Sequence, residues 1–133
     1  MKKLLAVILS VVMVFSVASV GFASYKSDAD LRFDENGKFK ILVLADVQTD
    51  YPMQDEMIFF MEEAIRASEA DLVVFTGDNV NNDDKRTYAQ MLAPCIEAGV
   101  PCTMVLGNHD QESSGGMTRE EIVAEYQKYE GFL

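Results

Sequence analysis

Residues 102–110, CTMVLGNHD, join an apolar run to four residues rich in functional groups. The run Cys102–Leu106 predicts a buried strand, and the segment from Gly107 to Asp110 then offers an amide oxygen, an imidazole and a carboxylate. Open α/β sheets bind their ligands at the carboxyl ends of their strands. The stretch therefore predicts a strand of such a sheet and a candidate site for chemistry at its end.

The same arrangement occurs twice earlier in the chain. Residues 41–44 (ILVL) precede Asp46, and residues 72–75 (LVVF) precede Asp78. Asp46, Asp78 and Asn108 are separated by 32 and 30 residues, each about the length of one βα unit. We expect parallel strands with helical crossovers, which bring the three side chains to one edge of a sheet.

The fold class predicted from these patterns is α/β, with an initial β-hairpin followed by βαβαβα. Asn36-Gly37 between two alternating segments predicts the hairpin. Gly99 is the expected C-cap of the second helix. Residues 118–121 (TREE) form a capping box that opens the last helix, and residues 111–116 are expected to be a loop.

The first 23 residues match a secretory signal peptide. Lys2 and Lys3 supply a positive start, residues 4–22 are largely apolar, and small residues precede a cleavage position after Ala23. We expect a domain over residues 24–133 that is secreted or periplasmic in a bacterium, with no stable membrane span after cleavage. An uncleaved membrane anchor is the alternative, because a largely apolar stretch of 19 residues is near the lower limit for a span.

The chain is strongly acidic, with a net charge of −11, and loss of Lys2 and Lys3 leaves −13 on the expected domain. This charge disfavours nucleic acids and anionic membranes as partners. A polyanionic substrate requires bound cations that invert the local field. The charge therefore favours a metal site over a bare phosphate-binding site.

The two cysteines, Cys95 and Cys102, lie seven positions apart. A disulfide across the turn between them and two separate buried thiols are both compatible with this spacing. The CxxC spacing of zinc and redox motifs is absent.

Oxygen donors dominate the candidate site. The carboxylates of Asp46 and Asp78 and the amide of Asn108 suit magnesium, manganese or calcium. A central carboxylate such as Asp78 can bridge two metals about 3.5–4 Å apart, and such a pair activates water for in-line displacement. His109 can then act as general acid, and Asp110 either orients it or is an ordinary loop carboxylate.

These residues resemble the ordered blocks of the calcineurin-like metallophosphoesterases, which include the purple acid phosphatases. The blocks D-x-H, G-D and G-N-H-D/E correspond to residues 46–48, 77–78 and 107–110. Residues 34–42 are also similar to the purple-acid-phosphatase-like branch, so the resemblance covers residues 31–133.

The resemblance implies a role for each site residue and for two divalent metals drawn from Mn, Mg, Fe and Zn. Asp46 binds the first metal, Asp78 bridges both, and Asn108 binds the second. His109 contacts the phosphate and protonates the leaving group. The implied fold is the N-terminal half of an αββα sandwich.

Two departures from the family pattern affect this interpretation. Gln48 stands where the family has a metal-binding histidine, so it is either an oxygen ligand for a hard cation or a polar loop residue. The later family blocks are missing, and His109 is the only histidine. We therefore expect a truncated phosphoesterase domain whose missing C-terminal half leaves an apolar sheet face open for docking or self-association.

The function predicted from the sequence is metal-dependent hydrolysis of phosphate esters of small molecules or proteins by a dinuclear-metal-activated water, incomplete in this truncated form. The alternative is a non-catalytic exported module that binds a cation or docks a partner.

Overall fold

The computed structural model describes residues 31–82, 84–112 and 116–133. The predicted signal peptide, residues 1–23, lies outside the described residues. The described elements, in chain order, are β1 (Ile41–Leu44), α1 (Asp55–Ser68), β2 (Leu72–Thr76), α2 (Lys85–Ala98), β3 (Cys102–Val105), α3 (His109–Glu112) and α4 (Arg119–Tyr126).

The three strands form one parallel sheet in the order β1-β2-β3. Val43 pairs with Val74, and Val74 pairs with Thr103, so the three carboxyl ends lie at the same edge. This arrangement confirms the predicted α/β class with parallel strands, and it is consistent with part of a metallophosphoesterase sandwich.

The hydrophobic core lies between the sheet and helices α1, α2 and α4. Val73 and Phe75 of the central strand are fully buried, and they share one core cluster with side chains of all three helices. The helix residues of that cluster are Met61, Ile65, Tyr88, Met91, Leu92, Cys95, Ile122 and Tyr126. Each of the three helices thus buries apolar side chains in the same core cluster as the central strand.

The opposite face of the sheet is apolar and exposed in the described part of the chain. Ile41 and Val43 of β1 are 54% and 57% exposed, and Val105 of β3 is 57% exposed. The strand register places these three side chains on the same face, because successive residues of a strand alternate between faces. An uninterrupted apolar run such as ILVL is typical of a strand covered on both faces, but here β1 is covered on one.

The predicted hairpin is formed only at its turn. Asp34 N–H donates to Lys38 O over 2.8 Å, and the Asp34 side chain accepts hydrogen bonds from the N–H groups of Asn36 and Lys38. The first arm forms no strand within the described residues, and Phe33 in that arm is 69% exposed. An arm that buries so little apolar surface gains too little to hold a two-stranded ribbon.

The helix ends follow the local sequence signals. Gly99 caps α2 with a φ of 66°, as the sequence predicted, and Thr118 and Glu121 form the expected capping box at the start of α4. Residues 109–112, in contrast, include a helical turn where the sequence pattern predicted the start of a loop. No helix in the described ranges is long and apolar enough to cross a membrane.

The two cysteines are buried free thiols at the junction of α2 and β3. A hydrogen bond with Cys102 and burial together raise the pKa of the Cys95 thiol. Near the same point, Phe132 forms a parallel bridge with Cys102, which adds one pair to the free edge of β3.

The buried face of β2 should dominate stability. Replacing Phe75 with alanine should lower the free energy of unfolding by about 3–5 kcal/mol, because it leaves a cavity between the sheet and the helices. Val43→Ala on the exposed face is the control and should cost less than about 1 kcal/mol. Equal losses in urea titrations of the two variants would contradict this assignment of faces.

Candidate metal and phosphate site

The ends of the three strands converge through direct backbone contacts. Asp46 N–H donates to Gly77 O over 3.2 Å, and Gln48 N–H donates to Asp78 O over 2.9 Å, so the segment after β1 runs beside the segment after β2. On the other side, His109 N–H donates to the Asp78 carboxylate over 2.9 Å. The structure thus brings together the three strand ends that the sequence predicted to meet.

Two glycines allow the segments after β2 and β3 to touch. A Cβ atom on Gly107 would lie 2.0 Å from Asp78 Oδ1 and 2.4 Å from Asp78 N. A Cβ atom on Gly77 would lie 2.9 Å from Gly107 N, and Gly77 also has a φ of 102°. The glycines of the G-D and G-N-H-D motifs are therefore required by the close approach that places Asp78 beside the turn after β3.

Three candidate site residues have a left-handed backbone. The φ angles are 53° at Asp46, 42° at Gln48 and 50° at Asp78, and Glu69 is the other described non-glycine residue with positive φ. Such angles are strained for residues with a Cβ, and strain of this kind concentrates at functional sites. Three of the four candidate metal-binding residues thus share this conformation at the ends of β1 and β2.

Asp110 is the buried anchor of the site. Its side chain is 2% exposed and accepts hydrogen bonds from the backbone N–H groups of Asn79 (2.8 Å), Val80 (3.0 Å) and Gly107 (2.7 Å), and from Asn79 Nδ2 (3.3 Å). Burial raises the pKa of the nearby Tyr126 phenol, and the Asp110 charge raises it further. These contacts tie the segment after β2 to the turn after β3; a catalytic part for Asp110 stays a prediction.

Asn108 and His109 are exposed and share one carboxylate partner. His109 Nδ1 lies 2.7 Å from Glu112 Oε2, and Asn108 Nδ2 lies 3.4 Å from Glu112 Oε1. Glu112 was not predicted as a site residue, because the sequence pattern suggested a loop at 111–116. The signal that could have revealed it is its spacing of three and four residues from His109 and Asn108, which places the side chains on one face of a helix.

Arg119 is a second residue that sequence reasoning missed. Its guanidinium donates to the carbonyl oxygens of Leu106 (2.8 Å) and Gly107 (3.0 Å), the last groups before Asn108. This contact joins the N-terminus of α4 to the end of β3. The sequence did not reveal this contact, because Arg119 lies between the two capping-box residues Thr118 and Glu121 and its own side chain takes no part in the cap.

The donor chemistry fits a hard divalent cation. Asp46, Asp78, Gln48 and Asn108 supply carboxylate and amide oxygens, which suit Mn²⁺ and Mg²⁺ better than Zn²⁺. Within residues 31–82, 84–112 and 116–133, no group of three or more His, Cys, Asp or Glu side chains has the spacing of a metal site. Of the four candidate residues, Asp46 and Asp78 would hold such a cation through charged groups, and Gln48 and Asn108 through neutral amide oxygens.

A family model for the calcineurin-like phosphoesterases matches residues 39–132. The match begins just before β1 and includes all of the strand ends described above. The chain belongs to the calcineurin-like phosphoesterase family.

The chain is similar to purple acid phosphatases from plants and to a phosphatase from yeast. It is 34% identical to "Probable inactive purple acid phosphatase 14" and 36% identical to "Probable inactive purple acid phosphatase 29", both from Arabidopsis thaliana. Each match covers 70% of this chain and 28% of the relative. "Phosphatase DCR2" of Saccharomyces cerevisiae is 32% identical, over 69% of this chain and 19% of the relative.

The chain thus spans about a quarter of the length of the curated relatives it matches. No solved structure matches it significantly.

The Asp110 contacts predict a large effect of a small substitution. Asp110→Asn replaces one acceptor oxygen with an NH₂ group beside N–H donors, and it should lower the free energy of unfolding by about 3 kcal/mol. Asp46→Asn makes the same chemical change on an exposed, left-handed residue and should leave stability unchanged. Urea unfolding in EDTA compares the two; equal stabilities would contradict the anchoring role.

The glycine contact predicts a second, local effect. Gly107→Ala should cost about 1–3 kcal/mol and shift the amide resonances of residues 77–79 and 107–109, because the new methyl group displaces Asp78. Gly37→Ala, which meets open space at a φ of 73°, should cost about 1 kcal/mol and leave those resonances in place. Unchanged resonances in Gly107→Ala would show that the two segments do not touch.

Proposed function

We propose that this chain carries the metal-binding and phosphate-binding part of a phosphoesterase that hydrolyses phosphate esters of small molecules or proteins. The observation that carries the proposal is the left-handed backbone shared by Asp46, Gln48 and Asp78 at adjoining strand ends. A pair of bound divalent cations would supply Lewis acidity and an activated water. Manganese and magnesium are the metals that the oxygen donors favour; iron and zinc are the other family metals.

Each of the six candidate site residues has a distinct role in this proposal. Asp46, Gln48, Asp78 and Asn108 hold the cations. His109 carries the proton that the leaving oxygen needs, and its backbone N–H orients the Asp78 carboxylate. Asp110 keeps the two segments in register through its buried hydrogen bonds.

A second candidate function is a non-catalytic module that binds one cation or docks a partner. Only two of the four proposed ligands carry charge, and two plant relatives have "inactive" in their names. The exposed apolar face of the sheet, with Ile41, Val43 and Val105, offers a surface for a partner or for self-association. This second function would use the bound cation but would not require the imidazole of His109.

Export to the periplasm or cell exterior is part of both proposals. It rests on the signal-peptide pattern of residues 1–23. The acidic charge supports an anionic substrate only where cations are bound, and it supports no role in nucleic acid binding.

The ligand assignment predicts the outcome of a Mn²⁺ titration of the purified chain by calorimetry. Asp78→Asn should weaken Mn²⁺ binding by more than about tenfold, since even residues behind metal ligands change affinity by about 10–100-fold. Asp71→Asn, the same change at the opposite edge of the sheet, should leave the affinity unchanged. Equal affinities in the two variants would exclude Asp78 as a ligand.

The catalytic part is tested by Mn²⁺-dependent hydrolysis of an aryl phosphate. Loss of a general acid lowers turnover by about 10²–10⁴-fold, so His109→Ala should do so while Mn²⁺ binding persists. Mn²⁺ binding without turnover in the unmodified chain would instead support the non-catalytic module.

A further inference from the structure

Glu112 makes contacts that neither the family motif nor the proposed ligand set uses. It is the last residue of α3, and its two carboxylate oxygens are divided between two neighbours. Oε2 lies 2.7 Å from His109 Nδ1, and Oε1 lies 3.4 Å from Asn108 Nδ2. One exposed side chain therefore contacts both the proposed general acid and a proposed metal ligand.

The contact with His109 has a chemical consequence for the imidazole. A carboxylate accepts hydrogen bonds, so Nδ1 must carry a hydrogen when it lies 2.7 Å from Oε2. In the neutral ring this fixes the Nδ1–H tautomer, and Nε2 then carries the lone pair. Nε2 becomes the nitrogen that can receive a proton and deliver it to a leaving oxygen.

The contact with Asn108 also fixes the orientation of a side chain in the candidate site. Its Nδ2 faces Glu112, so the amide oxygen is turned away from that carboxylate and is available to a cation. The backbone N–H of His109 is held at the same time by Asp78 Oδ1 over 2.9 Å. Backbone and side chain of His109 are thus tied to two different carboxylates.

Stability does not explain the arrangement. Glu112 and His109 are 59% and 46% exposed, and ion pairs at such positions contribute little to folding. The contact bears instead on the orientation and tautomer of the ring, since Oε2 accepts the hydrogen of Nδ1.

We propose that Glu112 is a positioning residue for His109: it holds Nδ1–H and leaves Nε2 as the nitrogen that exchanges a proton with the leaving oxygen. The consequence for catalysis rests on the proposed function. The tautomer itself does not, because it is a property of the chain without metal or substrate.

The chain offers an unusually clean measurement, since His109 is its only histidine. Histidine labelled with ¹⁵N, in chain purified without a histidine tag, gives one pair of ring nitrogen signals. At about pH 9, where an imidazole is neutral, these signals report the tautomer. The unmodified chain should show mainly Nδ1–H, and Glu112→Ala should shift the population to Nε2–H.

Two further variants make the test specific. Glu112→Gln keeps an acceptor oxygen and should retain the Nδ1–H tautomer. Glu120→Ala removes an exposed glutamate from α4 and should leave the ring signals unchanged, with unfolding midpoints equal in all four proteins. Mainly Nε2–H in the unmodified chain, or identical spectra with and without Glu112, would overturn the proposal.

Failure of this proposal is distinguishable from failure of the proposed function. A chain that binds no Mn²⁺ and hydrolyses nothing still gives a decisive tautomer. In a chain that turns over substrate, Glu112→Ala should lower kcat by about 10–100-fold with KM unchanged. The loss should be greater for alkyl than for activated aryl phosphates, because a good leaving group needs no proton.

Discussion

The buried carboxylate of Asp110 is the interaction on which the candidate site depends. An isolated buried carboxylate is costly, and this one is satisfied by N–H donors from Asn79, Val80 and Gly107. Those donors belong to two segments that are 27 or more residues apart in sequence. Because the same segments carry Asp78 and Asn108, a single buried group sets the positions of two proposed metal ligands.

The contact between Gly77 and Gly107 extends this constraint to the first strand. Once these backbones touch, the carbonyl groups of Gly77 and Asp78 are fixed, and they accept the N–H groups of Asp46 and Gln48. A strained backbone persists only where its surroundings over-determine it. The left-handed residues of the site are held in that way by hydrogen bonds to the neighbouring segment, and the strain is a consequence of bringing three strand ends together.

Sequence patterns were sufficient for the sheet and for the meeting of its strand ends, because strand spacing and helix caps such as Gly99 and Thr118 are local signals. The contacts of Glu112 and Arg119 could not be predicted in this way. Glu112 lies in a helical turn at 109–112 that has too few residues for a periodic pattern, and Arg119 contacts backbone groups 12 and 13 positions before it in the sequence. The strand predicted before Asn36 does not form within the described residues. Its turn signal is strong, but Phe33 in that arm is 69% exposed and packs little apolar surface against the rest of the domain.

Charge decides how the site differs between the two candidate functions. In the proposed function, Asp46 and Asp78 would together balance one divalent cation, whereas a second cation would have only Asp78 and the neutral amide of Asn108. Hard cations require additional oxygen ligands in such a case, and the phosphate of a substrate supplies both oxygen and negative charge. A binding module needs the first cation only. An esterase needs the second as well, and it also needs the proton of His109 directed to the leaving oxygen, which gives Glu112 a task that cation binding alone does not require.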